Sequence, residues 1–407
     1  MKKQTPISAK LQQDLEHFFP KLIKKQPFSR KSRAVLKFLF QEIISSHKKI
    51  KAHPGNIHET LLTPSTMRPL PSSTYMPKAI GDFITGLKNK RESEYSFSFD
   101  IGGRMVSIYM LYPGANMDLA MERARWIFVW LSIAFSHTPP KCARRLNLYL
   151  YFTPFPKVLP KPGEPRVIDF QHANTAYTTA CQPSTDIYLY REEEWFKVLI
   201  HETFHSLGLD FLSVNTDSAH KKILDIMPVE SDVNLSETYC EMWAEIMNVA
   251  FFTVFIEGGG KDADFYVNKI EERLHLESVF SVFQCVKVLH FFGLDYRELY
   301  TKDEDSHRNR RRKYKEKTNV LAYYIIKSVF MFHCGDFINW CLNNNDVGQV
   351  LNFDEKDLEK YVELFVGLYR TPEFLQQIDV IEKWFSEGKG DLNLRTTMRM
   401  SLFEMAI

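Results

Sequence analysis

Five prolines, Pro54, Pro64, Pro69, Pro71 and Pro77, interrupt this chain early. Proline fixes φ and has no backbone N–H to donate, so neither a helix nor a central strand runs through so many of them. The spacing predicts an extended, surface-running connector over 51–77, closing off an N-terminal helical extension. Within that extension, residues 10–50 repeat at helical period. The pattern is clearest in SRAVLKFLFQEIISSHKK, where Val35, Leu36, Phe38, Leu39, Ile43 and Ile44 share one broad face.

Strand-type alternation follows. YSFSFDIGGRMVSIYMLY (95–112) holds two alternating runs around Asp100-Ile101-Gly102-Gly103 and predicts a hairpin. NMDLAMERARWIFVWLSIAF (116–135) has Asn116 or Asp118 as N-cap and a long apolar stripe, so a buried helix is expected. RLNLYLYFT (145–153) alternates like a half-buried strand, and ANTAYTTACQPSTDIYLY (173–190) reads as two short strands around Gln182-Pro183-Ser184. REEEWFKVLIHETFHSL then turns helical, its acids expected in the first turn where the dipole favours them. LSETYCEMWAEIMNVAFFTVFIE (235–257) is a second helix, stopped by Gly258-Gly259-Gly260. From 264 onward nearly everything has helical period: 265–292, about 317–343, 355–371 and 373–386.

A chain of 407 residues exceeds what one core usually holds. The expected division is 1–77, 78–260 and a helical C-terminal lobe, 261–407. Charge is balanced, 52 Lys+Arg against 50 Asp+Glu, which argues against nucleic acid or an anionic membrane as partner. The basic block HRNRRRKYKEK (307–317) is read as a solvated loop between helices, with a nucleic-acid patch as the lesser alternative. Cysteines at 142, 181, 240, 285, 334 and 341 form no CxxC pair and are expected to be small buried hydrophobes of a reducing compartment. No apolar signal-peptide core and no apolar run of about 18 residues is found. The expectation is a soluble, cytoplasmic or otherwise intracellular protein with no membrane partner.

VLIHETFHSLGLDF (198–211) carries the chemistry. Residues four apart on a helix share a face, so His201 and His205 can offer two imidazole nitrogens to one zinc ion. Glu202 sits at the edge of that face, placed for proton transfer rather than ligation, which is the logic of H-E-x-x-H. A third ligand is needed. A histidine six residues after His205 would supply one, but that position is Phe211, and Asp210 falls one short. The downstream SETYCEMWAE offers Glu237, Glu241 and Glu245 stacked on one helix face. Either they form a solvated acidic stripe, or one binds metal while the next bonds a ligand imidazole.

HETFH followed by SETYCE resembles the gluzincin branch of the zincin metallopeptidases. There a helix bearing H-E-x-x-H is followed by one carrying a Glu ligand, and an acid one turn on commonly orients a histidine. The longer run REEEWFKVLIHETFHSLGLDF, with ANTAYTT before it, is similar to metallopeptidase-like proteins of large DNA viruses. The resemblance spans roughly 95–257. It implies zinc as cofactor, His201, His205 and Glu237 as ligands, Glu202 as general base and Glu241 as the acid that orients a histidine. At that last position the family usually has Asp.

The resemblance also implies an α+β, zincin-like fold for 78–260. A twisted mixed sheet is backed by helix 116–135, its edge strand lies above the cleft, and the site helix lies below. A peptide or protein substrate would pair with the edge strand and be hydrolysed by water activated on zinc. An oxyanion donor is expected too, with His290, Tyr323 and Tyr324 as candidates. The alternative is a catalytically silent zincin-fold binding or scaffold protein.

Overall fold

The computed structural model describes residues 3–23, 27–52, 58–61, 75–88, 94–212 and 214–406. It is an α+β protein with a twisted, mixed, six-stranded sheet. In chain order the strands are β1 (His58–Leu61), β2 (Glu94–Ile101), β3 (Arg104–Leu111), β4 (Arg145–Tyr151), β5 (Ala176–Thr178) and β6 (Ser184–Leu189). Their spatial order is β1-β2-β3-β4-β6-β5. Pairs β3–β4 and β4–β6 are parallel and the others antiparallel. β1 arises inside the stretch read as a connector. Pro54, Pro64, Pro69 and Pro71 lie outside the described residues.

The β2–β3 hairpin turns on Gly102 and Gly103, with φ of 60° and 80°. Two successive left-handed residues make the tight turn whose twist suits a hairpin, and only glycine takes both cheaply. Asp100 Oδ1 accepts the Gly103 N–H at 2.9 Å and fixes it. β3 then crosses to its parallel neighbour β4 through a long buried helix, Met117–His137, which Asn116 caps by accepting from Leu119 N at 3.0 Å.

Alternation along the strands sends Val106, Ile108, Leu146, Leu148, Ile187 and Leu189 into the main core, beneath that helix and the site helix. Leu111, Tyr149 and Tyr151 face the other way, against Ile80 and Ile84 of a helix, Lys78–Lys88, that the sequence reading did not foresee. The helices that follow position the site and are labelled α1 (Trp195–Leu207), α2 (Leu235–Glu257), α3 (Ala263–Phe292) and α4 (Lys327–Phe332).

The N-terminal helices Pro6–Phe18 and Arg30–Ala52 pack on α3, and residues from 1–77, 78–260 and 261–407 all contribute to one contiguous apolar core. A short pairing of Lys3–Gln4 with Met405–Ala406 brings the two ends of the described chain together.

Two expectations are corrected. The basic block is not a loop: Glu304–Lys313 is a helix that buries Arg310, whose guanidinium donates to the carbonyls of Glu298 and Thr301. Nor are all the cysteines separate, because Cys142 and Cys181 are joined in a disulfide. Among the described residues one helix, α2, is long and apolar enough to cross a membrane, and 89% of its apolar window is buried inside the protein. The helices Leu321–Phe332 and Cys334–Asn344, bent by 88°, meet that standard only when taken together.

Candidate metal centre

The site helix α1 is buried on every side, from Trp195 to Leu207. It has no solvated face, so its polar side chains must find partners inside the protein. It ends at Gly208, whose φ of 65° lets the chain reverse while its N–H bonds back to His205 O. A Cβ at that position would lie 3.0 Å from Cys142 Sγ and 3.1 Å from Cys181 Cβ. The disulfide therefore packs directly against the end of the helix that carries both histidines.

The acids before the helix do not occupy its first turn. Glu194 precedes it, at φ 59°, with its carboxylate buried on Lys157 and accepting N–H groups from Met400 and Ser401. Glu193 and Glu194 anchor Arg399, Met400 and Ser401, while Glu192 pairs with Arg123, so none of the three serves the helix dipole.

Three side-chain atoms converge below the cleft. His201 Nε2 is 3.0 Å from Glu237 Oε2, His205 Nε2 is 3.4 Å from the same oxygen, and the two Nε2 atoms are 3.2 Å apart. A tetrahedral ion with bonds of about 2.0–2.1 Å holds its ligand atoms about 3.3–3.4 Å apart. The triangle is therefore close to one face of a zinc tetrahedron.

Both Nδ1 atoms point away from that face, each toward its own carboxylate. His205 Nδ1 is 2.5 Å from Asp210 Oδ2, and His201 Nδ1 is 2.9 Å from Glu241 Oε1, an ion-pair contact off the straight N–H axis. A carboxylate on Nδ1 favours the tautomer that leaves Nε2 free to ligate.

The stacked acids of α2 are not a solvated stripe. Glu241 is 3% exposed and Glu245 is 0% exposed. Each has its own set of partners: Glu237 meets the two imidazoles, Glu241 meets His201, and Glu245 meets Lys327 Nζ at 2.6 Å. Lys197 Nζ bonds the remaining Glu241 oxygen, and Lys327 Nζ lies 3.5 Å from it.

Burial works against charge at Glu237, His201, His205 and Glu202, and at the first three neighbours overrule it. Desolvation alone would raise the partly buried Glu237, yet His205 and His201 hold its carboxyl well below the usual range. Burial also lowers the basicity of His201, but Glu237 and Glu241 raise it above the ordinary imidazole value. For His205 burial is outweighed by Cys240, Glu237 and Asp210. Glu202 is the exception, because burial prevails and raises its carboxyl above the ordinary range, against the pull of His201 and His205.

These groups open on a cleft of about 1240 Å³. Edge strand β5 lines it, together with His201, Glu202, His205, Glu237 and Tyr323. Of the three oxyanion candidates only Tyr323 is here. It sits on a π-helical turn, Leu321–Ile326, that leads into α4, and its hydroxyl donates to Glu237 Oε2 at 3.1 Å. Tyr324 bonds Met398 O at 2.7 Å, and the His290 ring packs on Phe385, so neither enters the cleft.

The sequence reading missed Asp210, Lys197 and Lys327. Asp210 was weighed as a ligand, whereas the turn at Gly208 brings it back as a brace for His205. Lys197 was legible as a lysine four residues before His201 within an apolar run. Cys240 is buried as expected, its Sγ 3.7 Å from both His205 Nδ1 and Asp210 Oδ2. Burial keeps that thiol protonated and so a poor ligand. No family model, curated protein or solved structure matches this chain.

Proposed function

We propose that this chain is a zinc-dependent metallopeptidase with a zincin-like core. The observation that carries the reading is the triangle of His201 Nε2, His205 Nε2 and Glu237 Oε2, with a carboxylate beside each Nδ1. Three protein donors of this kind suit a catalytic zinc site, which keeps its remaining position open. Zinc held there supplies a Lewis acid that polarises a carbonyl and eases the deprotonation of water.

The chain's own residues account for the rest. Glu202 faces the cleft beside the imidazoles and accepts no hydrogen bond from a described residue, so its carboxylate is free to take a proton from water and return it to the leaving amine. Burial keeps the Tyr323 phenol protonated, making it a donor for a developing oxyanion. Among the described residues β5 pairs only with β6, and its other edge can take a peptide backbone, which fits a peptide or protein substrate.

The alternative, a silent zincin-fold scaffold, gives Glu202 no role. A buried carboxylate without a donor is costly to keep for structure alone. The test combines metal analysis of protein reconstituted with zinc and a cleavage assay on a broad peptide library. About one zinc per chain and cleavage lost in Glu202→Gln are expected; a reconstituted protein that holds no zinc refutes the proposal.

A further inference from the structure

Two lysines are buried behind the proposed metal centre, Lys197 at 2% exposure and Lys327 at 1%. Neither belongs to the H-E-x-x-H motif, and each is taken from water only by meeting acids. Lys197 and His201 lie four apart on α1 and so share a face. Both reach the same side chain on α2: His201 Nδ1 stands at Glu241 Oε1, and Lys197 Nζ bonds Glu241 Oε2. Lys327 adds a second cation at 3.5 Å from that oxygen and is itself held by Glu245 and by Met400 O, each at 2.6 Å.

A carboxylate is planar, so fixing both oxygens fixes its orientation. Held only by His201, Glu241 could pivot about its side-chain torsions and carry the imidazole with it. Held also by Lys197, it presents Oε1 to Nδ1 in one direction, and the ring plane follows. A lysine pairing merely to neutralise a buried glutamate has no need to select the oxygen opposite the histidine.

We infer that Lys197 is a positioning residue for the metal centre, acting through Glu241 to aim His201 Nε2, with Lys327 anchoring the same carboxylate from α4. The inference rests on the proposed zinc site and adds a requirement to it: the site helix supplies both the ligand and the group that steadies the ligand's brace.

The test is a double-mutant cycle read as zinc affinity by competition with a chromophoric chelator. It compares wild type, Lys197→Met, Glu241→Gln and the double variant, each checked for cooperative thermal unfolding. Lys197→Met should weaken zinc on the order of tenfold, as losses one step behind a ligand do. In the Glu241→Gln background the same change should alter affinity by less than about twofold, because its route to His201 is already cut.

Unchanged affinity in Lys197→Met, or an equal loss in both backgrounds, overturns the inference while leaving the zinc reading intact. Wild type that takes no zinc removes both. Should Lys197→Met not fold, a crystal structure of zinc-loaded wild type decides. Lys197 on Glu241 and Glu241 on His201 Nδ1 uphold the inference; Glu241 turned away from either one refutes it.

Discussion

His205 and Asp210 are five residues apart, and their side chains meet at 2.5 Å, Nδ1 to Oδ2. The left-handed turn at Gly208 makes this contact by folding the chain back over the end of its own helix. The carboxylate holds the Nδ1 proton and so leaves Nε2 for the proposed metal. Asp210→Ala should therefore lower zinc affinity about ten- to a hundredfold without removing a ligand. A chelator competition checks it, and affinity equal to wild type would show that His205 needs no brace.

The three acids of α2 should separate by what each one touches. Glu237→Ala removes the proposed third ligand atom and should lose zinc most heavily. Glu241→Ala should weaken zinc less, about ten- to a hundredfold. Glu245→Ala should act mainly on stability, because it leaves Lys327 buried with a weaker partner; breaking such a pair costs about 3–5 kcal/mol. Zinc titration and denaturant unfolding of the three variants give the ranking. Full zinc affinity in Glu237→Ala with loss in Glu241→Ala would move the ligand one turn along the helix.

How much of this was legible follows from distance along the chain. The hairpin at Gly102-Gly103, the two site helices and the i,i+4 spacing of His201 with His205 are local patterns, and local patterns survive in one dimension. The ladder Glu237, Glu241, Glu245 was legible as a face, but not which partner each residue takes, since Lys327 and Tyr323 come from 82 and 86 residues away. The π turn at Leu321–Ile326 breaks the 3.6 period that would have placed Tyr323. Charge density hid the helix Glu304–Lys313, where Arg310 is buried like an apolar residue. The Cys142–Cys181 pair joins two loops 39 residues apart, which no spacing rule predicts.

Acid should silence the proposed peptidase activity. Glu202 can work as the proposed base only when ionised, and burial raises its carboxyl above the ordinary glutamate range. In the metal-free protein the carboxylate is thus fully ionised above the raised value and is lost as pH drops through it. The same direction holds for metal binding. His201 and His205 have raised pKa values in the metal-free protein, so protons compete with zinc to higher pH than at ordinary imidazoles. Glu202→Gln should retain zinc and lose at least about a hundredfold in kcat. Kinetics of Glu202→Gln and a plot of zinc affinity against pH check the two, and proton competition that ends below the ordinary imidazole range would overturn the sign.

Tyr323→Phe separates a donor role from a structural one. The hydroxyl donates to Glu237 Oε2 at 3.1 Å, and burial keeps the phenol protonated. Removing it leaves the ring, which packs 6.1 Å from His201 between centroids, so the wall of the cleft should survive. If the hydroxyl serves only to hold Glu237, its loss should weaken zinc by a modest factor and reduce activity only as far as zinc is lost. If it turns to a developing oxyanion when substrate arrives, zinc should stay while kcat falls about a hundred- to a thousandfold with KM little changed, as for one oxyanion donor. The second outcome is expected. Glu237 already meets both imidazoles, whereas an oxyanion in this cleft has no other hydroxyl donor among the three candidates that the sequence offered. Steady-state kinetics on zinc-saturated protein, with metal content measured on the same sample, distinguishes the two. Unchanged kcat at full zinc would remove Tyr323 from the chemistry.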